Sequence, residues 1–182
     1  FGFAGLGLAL AACAALPRFD KGGPWPPPRA GMVVCEQPLA TAAGVAILER
    51  GGNAVDAAVA TALALAVVYP QAGNLGGGGF AVCVEHDPSK PPKFLDFRET
   101  APAALRPEMF LDADGRRVPE RSLEHGLAVA VPGSPRGLFD LHAKLGRISF
   151  ASVAAPAIAL AREGFVVDRW LAEDLAEERA KL

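Results

Sequence analysis

The stretch "NAVDAAVATALALAVVYPQAGNLGGGGF", Asn53–Phe80, decides how this chain is read. After Asp56 it is apolar nearly all round at helical spacing. A surface helix would keep a polar stripe, so this one is expected inside a core. Asn53 is placed to cap it, its side chain accepting a backbone N–H near Asp56. A membrane span takes roughly 20 apolar residues, and this run is shorter and carries an aspartate. The helix ends at Tyr69-Pro70, four glycines follow at positions 76–79, and a strand begins at Phe80. That order is the reverse of a dinucleotide-binding turn, and the pattern G-x-x-x-x-G-K-[ST] is absent. No helix begins at the glycines to offer its N–H groups to a phosphate. Glycines allow positive φ and close contact, but four in a row exceed what a turn needs and cost unfolded-state entropy. Something therefore comes close to this backbone, either another chain segment or a substrate.

Outward from this stretch the elements are short. "GMVVCE", residues 31–36, reads as a Val-rich strand. Pro38 opens a helix through Arg50, closed by Gly51 and Gly52. "FAVCVEH" and "KFLDF" read as two strands joined by the loop "DPSKPP", a hairpin with a long connection. "GLAVAVPG", residues 126–133, is a further strand-like piece. Ser134 is placed to cap a helix over 135–145. Helix 150–163 carries Pro156 and closes at Gly164, and a charged amphipathic helix runs from Asp168.

The first seventeen residues, "FGFAGLGLALAACAALP", are apolar and rich in small residues, like the later part of a secretory signal peptide. Within them "LAAC" resembles a bacterial lipobox that would make Cys13 a lipidated N-terminus. Residues 18–30, "RFDKGGPWPPPRA", read as an extended Pro/Gly linker, and residues 31–182 as the globular part. The chain begins inside a signal and ends inside a helix, as the leading part of a longer polypeptide would. The expected location is therefore outside the cytoplasm, periplasmic or extracellular, with a lipid anchor to the membrane if Cys13 is modified. Cys35 and Cys83, the other two cysteines, are expected as buried thiols, not a disulfide. No Cys/His spacing suggests zinc. A net charge of −2 gives no footprint for nucleic acid.

Arg98 lies in "LDFRETAP", just past the second hairpin strand. A guanidinium there can grip a carboxylate through two parallel hydrogen bonds. The plainer reading is a local ion pair with Asp96 or Glu99, or exposure to solvent. Nothing intrinsic to the residue chooses between them.

The wider pattern does. "GGNAVDAAVA", "PQAGNLGGGGF", "LDFRETAPAALRPEMFLD", "VAVPGSPRGL" and "PAIALAREGFVVD", in this order and spacing, resemble the N-terminal part of the large subunit in the γ-glutamyltranspeptidase (glutathione hydrolase) family. The resemblance implies an α+β fold, the leading portion of an αββα N-terminal-nucleophile hydrolase sandwich. It implies a precursor that cleaves itself into large and small subunits. The new N-terminal threonine of the small subunit then attacks a γ-glutamyl amide, with its own amine able to act as base. Water, or an amino acid or peptide amine, resolves the acyl-enzyme. No cofactor or metal is implied. The arginine of this motif, Arg98 here, would hold the donor's α-carboxylate and so position the distant γ-carbonyl. Glu99 is expected to steady Arg98 by charge pairing.

None of Thr41, Thr61 and Thr100 matches the family's nucleophile motif, so no catalytic residue is assigned in this sequence. The segment alone is expected to be inactive, and poorly able to fold with its apolar helix partly uncovered. His86, His125 and His142 have no partner at catalytic or metal spacing and are read as structural or exposed. Two alternatives stay open: a relative acting on another acyl group, such as a cephalosporin acylase or polyglutamate-processing enzyme, and a non-catalytic scaffold that kept the fold.

Overall fold

The computed structural model describes residues 31–73 and 75–180. The signal, lipobox and linker readings, Cys13 among them, lie outside the described residues. Helix α1 spans Pro38–Glu49 and α2 spans Ala54–Val68. The Gln37 side chain accepts from Leu39 N (2.6 Å) and Ala40 N (3.1 Å), satisfying two of the free donors at the start of α1. At its other end Gly51 N reaches Leu48 O and Gly52 N reaches Ile47 O, both at 3.0 Å, a Schellman closure. Asn53 and Asp56 then form a reciprocal capping box on α2.

Helix α2 is the centre of the molecule. One buried cluster joins its Ala57, Val59 and Ala60 to Ile47 of α1, with Leu138, Leu141 and Val153. A second joins Ala64 and Val68 to Ala40 and Ala43, with Ala157. Leu138 and Leu141 belong to helix α3, Ser134–Leu145, while Val153 and Ala157 belong to α4, Phe150–Glu163. The small Ala side chains let α1 and α4 approach α2 closely. Helix α4 is capped by Ser149, whose hydroxyl accepts from Ser152 N at 3.2 Å, and closes at Gly164 with φ of +80°. The last helix, α5, Arg169–Glu177, is capped by Asp168.

Strands β1, Phe80–Cys83, and β2, Lys93–Asp96, form the expected antiparallel hairpin, with Ala81 opposite Leu95 and Val82 opposite Phe94. Side chains alternate between faces. Ala81, Cys83 and Leu95 pack against the helical core. Phe80, Val82 and Phe94 project from the opposite face and are more than half exposed.

Three local expectations are corrected. Residues 31–36 form no strand. Met32 and Val34 are exposed while Val33 packs on the core, so they alternate as a strand would, but no described segment pairs with them. Residues 126–133 hold a short 3-10 turn at Gly126–Ala128 and a single bridge, Thr100 to Val131. Ser134 is the first residue of α3, not its side-chain cap: the helix starts one residue earlier than expected, with Gly133 at the cap position accepting Gly137 N at 2.8 Å, while Gly133 N and Ser134 N both donate to Gly77 O (2.8 and 2.9 Å). The two described cysteines are free, as expected, but half-buried: Cys35 lies 3.1 Å from the Thr41 hydroxyl, and Cys83 sits on the inner sheet face.

Candidate functional site

The end of β2 is built to present one side chain. Residues 94, 96 and 98 follow the strand alternation onto the outer face. The Asp96 carboxylate accepts the Arg98 backbone N–H at 2.9 Å, a local turn that ends the strand. Arg98 thus stands beside Phe80, its guanidinium carbon 5.8 Å from the ring centroid, within cation–π range. Its Nε donates to Glu99 Oε2 at 3.3 Å. The Arg98 side chain remains 57% exposed against 31% for Glu99, so the arginine is the outward member of the pair. Among the described residues no acceptor engages its two terminal Nη groups. The ion pair occupies one edge of the guanidinium and leaves the end-on pair of donors open, the edge that takes a carboxylate in two parallel bonds. Both local partners weighed from sequence are therefore used: Asp96 by the backbone, Glu99 by the side chain.

Phe97, between Asp96 and Arg98, points the other way and anchors this end. Its ring covers the first turn of α3, where a Cβ on Gly137 would overlap the ring and one on Gly133 would strike the Phe97 carbonyl. Phe97 N donates to Gly79 O at 2.9 Å, and Gly79 N returns to Phe97 O at 3.4 Å. The glycine run therefore lies between the end of β2 and the start of α3. What approaches its backbone at Gly78 is a chain segment, Phe97–Glu99. Neither Gly78 nor Gly79 has positive φ, so closeness, not a left-handed turn, is the requirement here. The N-terminus of α3 meets the run in space, but two of its N–H groups are already bonded to Gly77 O.

Beside Glu99, a hollow of about 260 Å³ is lined by Thr100, Pro102, Leu105, Phe110 and Leu127. Thr100 pairs through its backbone with Val131, and Thr61 is buried in α2 with its hydroxyl on Ala57 O at 2.8 Å. Thr41 contacts Cys35. His86 is exposed, and His125 accepts from Leu127 N in a short turn. No group of three or more His, Cys, Asp or Glu that could hold a metal ion occurs among the described residues.

One arrangement had no counterpart in the sequence reading. His142 is buried with Nε2 at 3.2 Å from Asp56 Oδ1 and 2.9 Å from Ile148 O. Two oxygen acceptors facing one ring nitrogen make it the protonated one. Asp56 also accepts from Asn53 N (2.7 Å) and Arg147 N (3.1 Å to each oxygen), and Asn53 Nδ2 donates to Leu145 O at 2.7 Å. The Asn53/Asp56 spacing revealed the cap; nothing in the sequence pointed to His142 or Arg147, which lie more than 80 positions away.

Residues 40–182 match the family model described as gamma-glutamyltranspeptidase. A glutathione hydrolase proenzyme from Pseudomonas sp. (strain A14) is 48% identical over 139 residues, covering 76% of this chain and 24% of the relative. The crystal structure of Helicobacter pylori γ-glutamyltranspeptidase superposes with a TM-score of 0.80 at 43% identity, over 86% of this chain and 44% of that one. The cephalosporin acylase of Bacillus halodurans superposes at 0.69 with 32% identity, over 90% of this chain and 32% of that one. The chain spans about a quarter of the length of the relatives it matches. The family match begins in α1 and takes in the hairpin, the glycine run, Arg98 and all three later helices, so by sequence and by its α+β fold alike this chain belongs to the γ-glutamyltranspeptidase family.

Proposed function

We propose that the full-length protein hydrolyses and transfers γ-glutamyl groups of glutathione-like donors, and that Arg98 binds the donor's free α-carboxylate. The observation that carries this reading is the open end-on edge of an arginine held from two sides, by Glu99 and Phe80, within a family-matched segment. A bidentate grip on the amino-acid end would fix the γ-carbonyl several bonds away for attack. The attacking group is a threonine hydroxyl of a small subunit released from the same precursor, its terminal amine taking the proton. Attack forms a γ-glutamyl ester and expels the amine; water then gives glutamate, or an acceptor amine takes the acyl group. The relative's description as a proenzyme supports this processing.

Arg98→Ala in the full-length protein should raise KM for a γ-glutamyl anilide about 10- to 100-fold, the loss of a charge-assisted pair. Arg98→Lys should recover only part, because an ammonium lacks the planar fork. Unchanged kinetics in both variants would refute the assignment. Likeness to the cephalosporin acylase favours a second reading, a different acyl donor; if that donor lacks a free α-carboxylate, Arg98→Ala should be silent. We further propose export through residues 1–17, the linker at 18–30, and lipidation at Cys13. Mass spectrometry of the mature N-terminus tests this, and an unmodified start away from Cys13 rejects lipidation. No described helix is long and apolar enough to cross a membrane.

A further inference from the structure

We infer that Gly78 is a positioning residue for the donor carboxylate, acting through Glu99 and Arg98; the inference rests on the reading of Arg98 above. A Cβ built on Gly78 has three nearest neighbours: Glu99 N, Glu99 Oε2 and, at 2.6 Å, Phe97 O. The first and third are backbone atoms of the residues on either side of Arg98. The second is the oxygen that receives Arg98 Nε. A methyl group here therefore presses on the atoms that place the guanidinium.

Relief by small movement is blocked on both sides. Phe97 is tied to Gly79 by two backbone hydrogen bonds and wedged against α3. Beyond Glu99, Thr100 exchanges backbone bonds with Val131, at 3.3 and 2.8 Å. Turning the Glu99 carboxylate away relieves only the overlap with Oε2 and breaks its bond to Nε; the overlaps with Glu99 N and Phe97 O remain, so the backbone of residues 97–99 must shift as well and carries Arg98 with it. Gly79 differs: its Cβ would meet only the edge of the Phe97 ring, at 3.1 and 3.2 Å, where a side chain can give.

The test uses the full-length protein and two chromogenic γ-glutamyl anilides, one with a free α-carboxylate and one with that group as a primary amide. Gly78→Ala should raise KM for the carboxylate donor about tenfold, as ångström-scale misplacement of a binding group does. It should leave kcat within about twofold, since the chemistry lies elsewhere, and leave KM for the amide donor unchanged. Gly79→Ala should keep the wild-type ratio between donors. If Gly78 works through Glu99, then Gly78→Ala/Glu99→Gln should lose no more than the larger single loss. Multiplying losses, an unchanged donor ratio, or equal losses on both donors would each overturn the inference. An Arg98→Ala variant that keeps the wild-type donor ratio would instead sink the reading of Arg98. Should Gly78→Ala not accumulate as folded protein, Glu99→Asp carries the test: its shortened carboxylate should give the same KM-only change, and an unaltered KM there overturns the proposal.

Discussion

Asp56 meets His142 at 3.2 Å, and Glu99 meets Arg98 at 3.3 Å. The spacings nearly coincide, yet the two pairs do opposite things. Asp56 is fully buried, and its two oxygens are met by Asn53 N, Arg147 N and the His142 ring. A buried carboxyl group left without partners costs several kcal/mol, so a saturated one is a fastener. It ties the start of α2 to the loop between α3 and α4. The Glu99–Arg98 pair lies at the surface, where an ion pair contributes about 0–1 kcal/mol. Its arginine keeps donors to spare. Burial and saturation separate the group that holds the fold from the group free to hold a ligand.

The sharpest break in that contrast comes from the buried side. Asp56→Ala should lower stability by about 3 kcal/mol or more, because it strands backbone donors and a histidine N–H together. Urea unfolding of the full-length protein measures it, and a loss under about 1 kcal/mol would show that water replaces the carboxylate and that the cluster is no fastener. Arg98→Ala should move the same unfolding curve by no more than about 0.5 kcal/mol, while changing donor KM as described above. A large stability loss there would make Arg98 structural and erase the distinction.

The hairpin supplies the smallest expected effect. Lys90, then Lys93, donate hydrogen bonds to Glu85 at 2.6 and 2.5 Å, and together they hold its carboxyl down to about 2 from the usual 4.5. With the folded value depressed, the contribution is complete above the unfolded value and is lost as pH falls towards about 2. Because the ion pairs lie at the surface, the stability change should be slight. Titration of the Glu85 carboxyl carbon by NMR should therefore show a midpoint near 2, and a midpoint at the usual value would mean that the lysines do not hold it in solution.

Elements governed by neighbours in sequence were legible: α1 between Pro38 and its glycines, α2 behind Asn53, the hairpin, and α4 closing at Gly164. Those governed by distant partners were not. Residues 31–36 carry strand chemistry without a strand, because β structure needs a neighbour to pair with and no described segment offers one. Ser134 is a sound capping residue that falls inside the helix, because α3 starts one residue earlier, where Gly133 N and Ser134 N are held by Gly77 O from some 57 positions away. At the site, Arg98 and Glu99 could be singled out from the motif, and their contact is local. Phe80 beside the guanidinium and Gly78 beneath the carboxylate are set by strand register and by the crossing of the glycine run.

By itself, then, the order of residues determined the family, the helix boundaries and the arginine to watch, because capping, apolar periodicity and motif spacing all act over a few positions. Only the tertiary structure decided which polar groups are sealed and which stay open. Burial and hydrogen-bond saturation depend on segments brought together from as few as 18 to as many as 92 positions apart, and that closeness is a property of the packed chain.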